Sequence, residues 1–191
     1  GVLQTATADT PRFDYDPVTH APKGILIEES RTNLLLNSNF FTGGWSIIRA
    51  TIQPNATISP DGTLNGIKLV NNGVAGASYA GFNRTYIANT KYTYSVFLKK
   101  AELAAVRLPV FSSAGWSANG TALFDLNTGT ITTTGTGISS SNIQSLNNGW
   151  FRCSIVVTFG TENGASQYPT IETPSNPLDE VSGFYIWGAQ V

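Results

Sequence analysis

Two groups of residues in this sequence have the makings of chemistry, and in both the chemistry is recognition rather than bond making. Trp116 lies in Ser112-Ser113-Ala114-Gly115-Trp116-Ser117-Ala118-Asn119-Gly120, a polar stretch with little reason to bury a large ring. An exposed indole face stacks on the apolar side of a pyranose, and an amide such as that of Asn119 hydrogen-bonds the hydroxyls. The second group is Tyr79, Phe82, Asn83, Arg84 and Tyr86, where aromatics interleave with hydrogen-bonding side chains. Its competing reading is an ordinary strand with one buried face. Strand alternation also sends Arg107 and Lys99 away from the core. If their strands share a concave sheet, the two cations face an acidic polysaccharide together. Trp45, Trp150 and Trp187 have apolar neighbours at strand spacing and are read as core.

Catalysis is poorly supported. Glycoside hydrolysis needs two carboxylates facing each other across a cleft. Glu28-Glu29 on a strand would point to opposite faces, and we read the pair as structural, with Arg31 as a partner. Glu102, Glu162, Glu172 and Glu180 fall in turn-like stretches without a shared motif. No Gly-x-Ser-x-Gly elbow, phosphate loop or metal-ligand cluster occurs. One histidine, His20, cannot build a triad or a multi-histidine site. One cysteine, Cys153, excludes an intrachain disulfide, and its alternating apolar neighbours mark it as a small core residue. The chain is read as non-catalytic, with no cofactor and no metal among its site residues.

The elements that must position these groups are strands. The chain has 191 residues, 41% hydrophobic and 11% aromatic, enough for one good-sized core. Charged residues make up only 12% and the net charge is −1, so no field draws nucleic acid or anionic lipid. No apolar run approaches the length of a membrane span, and no membrane insertion is expected.

Residues 1–32 read as an arm with a first short strand: Pro11, Pro17 and Pro22 block helix and central strand alike. From there strands and turns follow every 8 to 12 residues or so, the spacing of a sandwich or jelly roll. Short strands are expected at Ile25–Glu29 and Asn33–Asn37, and loose alternation runs from Trp45 to Ile58. Ser59-Pro60-Asp61-Gly62-Thr63 is a turn, and Gly66–Val70 a strand. Tyr92–Lys99 alternates most clearly. Ala105–Phe111, Ala122–Leu126, Thr130–Thr132, Trp150–Phe159 and Gly183–Gly188 complete the set. Ala101–Ala105 suggests one helical turn, and Thr132–Ser141 a loop.

Thr10-Pro11-Arg12-Phe13-Asp14-Tyr15-Asp16-Pro17, followed by Lys23-Gly24-Ile25-Leu26-Ile27-Glu28-Glu29-Ser30-Arg31-Thr32-Asn33-Leu34-Leu35, resembles the start of a class of bacteriophage tail and virion structural proteins. Asn148-Gly149-Trp150-Phe151-Arg152 and Tyr185-Ile186-Trp187-Gly188-Ala189-Gln190 carry the resemblance to the end of the chain. From Asn33 on, the layout is also similar to the jelly-roll carbohydrate-binding modules found beside xylanases and cellulases. They open with a strand like Asn33-Leu34-Leu35-Leu36-Asn37-Ser38-Asn39-Phe40, followed shortly by a Trp such as Trp45.

Together the resemblances imply an all-β, galactose-binding-like jelly-roll sandwich over 33–191 behind the N-terminal extended arm. They imply a non-catalytic module that binds polysaccharide or cell-surface glycan from a virion or another extracellular setting. Other tail subunits would be partners, and the assembly admits a homotrimer. The alternatives are a purely structural tail module and the targeting domain of a longer depolymerase. The modules commonly hold a structural calcium on a Glu and an Asp, but Phe41 and Trp187 occupy those places here. Asp61, Asp125 or Asp179 would have to build any different calcium site.

Overall fold

The computed structural model describes residues 7, 9–16, 19–26, 32–35, 37–39, 43–87, 89–112, 120–158, 166–174 and 177–191. The chain is all-β, with two large antiparallel sheets in sandwich-like layers and a small hairpin; it is not a closed barrel. The hairpin pairs β1 (Phe13–Tyr15) with β2 (Pro22–Ile25), Phe13 opposite Ile25. Pro22 sits at the start of its strand, where a missing N–H is tolerated. Residues 27–31, and with them most of the strand expected at Ile25–Glu29, lie outside the described residues.

The front sheet contains β3 (Trp45–Ile48), β6 (Tyr79–Phe82), β7 (Arg84–Thr85), β9 (Ala105–Ser112), β10 (Thr121–Asp125), β11 (Thr130–Thr134) and β14 (Ser166–Glu172). Its order is β11-β10-β9-β14-β6-β3, with β7 also beside β14. The back sheet contains β4 (Ala50–Thr57), β5 (Gly66–Asn71), β8 (Lys91–Lys100), β12 (Ile138–Ser145), β13 (Trp150–Thr158) and β15 (Gly183–Gln190). Its order is β12-β13-β8-β15-β5-β4. The core lies between the layers. Tyr94, Val96, Leu98, Cys153, Ile155, Phe184 and Ile186 enter it from the back, and Val106, Leu108, Ala122, Phe124 and Ile171 from the front. Burial pushes the Cys153 thiol well above its ordinary range, as a packed core residue requires.

Alternation locates the clear strands, and the departures from it are informative. The stretch from Trp45 to Ile58 is two strands in different sheets. The chain crosses between layers at Arg49, which takes a positive φ of 51°. Asn33–Leu35 is extended without joining a ladder, yet it is tied to the last strand: the Leu34 N–H donates to the Val191 carbonyl at 2.8 Å. Ala101–Ala104 forms a bend, not a helical turn. Much of the expected loop at Thr132–Ser141 is instead the end of β11 and the start of β12, an edge strand whose exposed face is Ser- and Asn-rich.

β14 was not foreseen at all. Pro169 argues against a central strand, but the ladder accommodates it. Pairing with β6 covers Thr170–Glu172 and pairing with β7 covers Ser166–Gln167, so the ladder is broken where the proline lacks its N–H.

Candidate functional site

The front sheet's outer surface is where the structure gathers polar chemistry. In β6, Ala80 and Phe82 face the core, so Tyr79 and Gly81 lie on the outer side. In β14, Ile171 faces inward and leaves Thr170 and Glu172 on the outer side; in β9, Val106 and Leu108 do the same for Arg107. Register then sets a row across five strands. Ile48 lies opposite Tyr79, Tyr79 opposite Glu172, Glu172 opposite Arg107, and Arg107 opposite Leu123. The next row runs Ser46, Gly81, Thr170. A Cβ on Gly81 would come within 2.7 Å of the Thr170 methyl, so the glycine is what lets Thr170 lie flat over β6. The Thr170 hydroxyl donates to the Pro109 carbonyl at 3.1 Å.

At the centre stands a carboxylate that sequence reasoning had placed in a turn. Glu172 Oε1 accepts from Arg107 Nη2 at 2.6 Å, with side chains 1% and 29% exposed respectively. Arg107 is therefore the half that meets solvent, and the carboxylate stands behind it. Burial raises the Glu172 pKa above its usual range, while the Arg107 charge and hydrogen bond pull it back. The pair leaves two groups over: Glu172 Oε2 and Arg107 Nε are both buried and have no hydrogen-bond partner among the described residues. Buried polar atoms of this kind are uncommon and call for an explanation.

Asn83 is exposed between β6 and β7, about 13 Å along the strand from Tyr79 at the usual rise per residue. With Leu34, Arg84 and Thr85 it lines an open depression of about 270 Å³. Arg84 is on the inner side, where its Nε donates to the Leu34 carbonyl at 2.8 Å and its guanidinium lies 5.9 Å from the Phe82 ring. It therefore clips the opening segment to the sandwich. Phe82 is core, packed edge-on against Trp45 at 5.4 Å, and Tyr86 is core too.

Of the residues singled out from sequence, Tyr79 and Arg107 thus come to one row through Glu172, Asn83 and Arg84 line the depression beyond the end of β6, and Phe82 and Tyr86 are core. Trp116 and Asn119 lie outside the described residues. Lys99 does not join Arg107. It sits on the back sheet's outer surface, its Nζ 6.0 Å from the Tyr185 ring, so the two cations lie on opposite sides of the sandwich.

That back surface holds its own aromatic cluster of Phe97, Trp150 and Trp187, with Leu146 and Tyr185 against it. Trp150 and Trp187 are buried, as their spacing suggested, but outside the main core. Trp187 stands where a calcium-ligating Asp would be needed, and its environment is apolar; Phe41 lies outside the described residues. Asp61 and Asp179 each serve a turn. Burial would raise the Asp61 carboxyl, but hydrogen bonds from Ser59, Thr63 and Asn65 outweigh it and hold the pKa at about 2. Asp179 is held at about 2 by the Ser182 hydroxyl and by the Ser182 and Val181 N–H groups. Among the described residues no three His, Cys, Asp or Glu side chains group as a metal site would need. No described helix is long and apolar enough to cross a membrane.

No family model matches the sequence, and a search of curated proteins finds no match. Among solved structures, the fold is similar to the enzymatically active domain of tailspike protein 4 of bacteriophage CBA120. The TM-score is 0.51 and the identity 10%, over 83% of this chain and 21% of that one. At that identity the likeness is one of fold. The chain spans about a fifth of the length of that solved chain.

Proposed function

We propose that this chain is a non-catalytic glycan-binding module of a bacteriophage tail or receptor-binding protein. The observation that carries the reading is the outer surface of the front sheet. There a half-buried tyrosine ring and a partly exposed guanidinium, paired with a buried carboxylate, lie on neighbouring strands, with the exposed amide of Asn83 just beyond the end of β6. A pyranose asks for that combination: an aromatic face for its C–H side and polar groups for its hydroxyls. The setting on a virion rests on the sequence motifs and on a fold similar to about a fifth of a solved phage tailspike chain. The wiring, in which the chain passes repeatedly from one sheet to the other, fits a jelly roll.

Tyr79, Arg107 and Asn83 are the contact residues of this proposal, and Trp116 and Asn119 a second contact from the 113–119 stretch. Single contacts of this kind are weak. Several copies on one tail, as in a homotrimer beside other tail subunits, would convert them into firm attachment through effective concentration. The activity named for the tailspike domain belongs to that protein. In this chain the carboxylate at the centre is ion-paired with Arg107.

Affinity electrophoresis of the purified chain through polysaccharide gels tests the proposal, with Tyr79→Ala and Trp116→Ala in parallel. Retardation lost in either variant, with the fold kept by circular dichroism, supports it. No retardation on any gel turns the reading to a structural tail module.

A further inference from the structure

Resting on the glycan-binding reading, we infer that the depression beyond the end of β6 is a subsite for an acidic sugar, uronate or sialate, with Arg84 as the group that takes its carboxylate. The depression is open, has a volume of about 270 Å³ and is lined by Leu34, Asn83, Arg84 and Thr85. That is just under the roughly 300 Å³ at which small-molecule sites begin, which suits one sugar ring rather than a length of chain. Asn83 and Thr85 are exposed, and Arg84 is partly so.

The guanidinium is held in place before any ligand arrives. Its Nε donates to the Leu34 carbonyl at 2.8 Å, and the Leu34 N–H is itself tied to the Val191 carbonyl at 2.8 Å. Among the described residues nothing accepts from its two terminal nitrogens, and no carboxylate pairs with its charge. The described residues of the surrounding segments, 32–39, 82–87 and 166–168, include no Asp or Glu. A guanidinium anchored through one nitrogen offers the others as a planar fork, which the two oxygens of a carboxylate match. Anchoring also reduces the ordering that binding must bring about. The Asn83 amide and the Thr85 hydroxyl both donate and accept, as ring hydroxyls require. The other two cations that the sequence set beside a glycan are placed differently: Arg107 is already neutralised by Glu172, and Lys99 lies on the opposite side of the sandwich.

The inference is tested by comparing retardation of the wild-type chain in gels of polygalacturonate and polysialate, of a sulfated galactan, and of neutral galactan, glucan and mannan, at low and high sodium chloride. The expected result is the strongest retardation on a carboxylate gel, weakened by salt. Arg84→Gln removes the charge and keeps an amide that can donate to Leu34. It is expected to weaken binding to the carboxylate gel about tenfold. Thr85→Glu changes an exposed residue and sets an anion at the rim of the depression. It is expected to weaken the same binding by at least as much, and it decides the matter should Arg84→Gln not fold. A folded variant of either kind that matches wild type on the carboxylate gel overturns the role of Arg84. Preference of the wild type for a neutral or a sulfated gel overturns the inference and leaves the glycan-binding reading standing. No retardation anywhere overturns both.

Discussion

The two outer surfaces of the sandwich come from the same strand alternation and have opposite characters. On the back sheet the outward positions hold Phe97, Trp150, Trp187 and Tyr185. On the front sheet the comparable row holds Tyr79, Glu172 and Arg107. The back cluster is roofed. The Trp150 indole N–H donates to the Ile58 carbonyl at 2.9 Å, and Gly66 lies so close that a Cβ there would be 3.3 Å from the ring. Phe97 and Trp187 stack edge to face at 5.3 Å. An aromatic outside the main core is thus no sign of a ligand platform by itself; what lies above it decides. On the front, Tyr79 is half-buried and Arg107 partly exposed, while Thr170 and Glu172 beside them are buried.

This contrast can be broken, and the largest expected effect is at the back. Trp150→Ala should lower stability by about 3 to 5 kcal/mol, read as a fall in the urea midpoint, because a fully buried indole and its hydrogen bond are lost together. The fraction that remains folded should bind glycan as wild type does. A binding loss in that fraction would merge the two surfaces into one functional unit.

Arg107→Ala comes next, at about 3 kcal/mol near neutral pH, since it leaves Glu172 buried without a counter-charge. This deficit carries a pH signature. Burial holds the folded-state pKa of Glu172 above its unfolded value, and loss of the arginine raises it further. The folded state then binds the proton first, so stability falls as pH rises through that window and recovers as pH is lowered. Urea midpoints at about pH 7 and about pH 5 should therefore converge on wild type at the lower value.

Tyr79→Ala sharpens the comparison from the other side. It is expected to cost under about 1 kcal/mol in stability while removing retardation in polysaccharide gels. A stability loss as large as that of Trp150→Ala would make the front surface a second structural cluster.

The smallest effect concerns neither surface. Asp61 and Asp179 have folded-state pKa values of about 2, below the ordinary 3.8. Their contribution is present above the unfolded value and is lost as pH falls toward 2. Asp61→Asn combined with Asp179→Asn should lower the urea midpoint in the neutral region and flatten the acid limb of a midpoint-against-pH curve, so that variant and wild type converge as pH falls toward 2, with both surfaces unchanged.

Much of this protein was determined by its sequence alone. Alternation in Tyr92–Lys99, Ala105–Phe111 and Trp150–Phe159 is enough to assign the two faces of each strand, because successive side chains must point opposite ways. It is enough to bury Cys153 and to turn Arg107 away from the core; the same alternation sends Trp150 and Trp187 outward, and they are buried only by the cluster they form with Phe97. The turn at Ser59–Thr63 follows from proline and glycine chemistry in the same way.

The tertiary structure decided what lies beside each strand. Trp45–Ile58 carries one continuous pattern, yet it divides between two sheets at Arg49. β14 is hidden by Pro169, and only the interrupted ladder between β6 and β7 explains how a proline stands there. With β14 unseen, Glu172 reads as a turn residue and Arg107 as a free cation. Their pairing is a long-range contact that no local periodicity encodes: alternation fixes the face a residue takes, but the neighbour across the sheet is chosen by how the whole core packs.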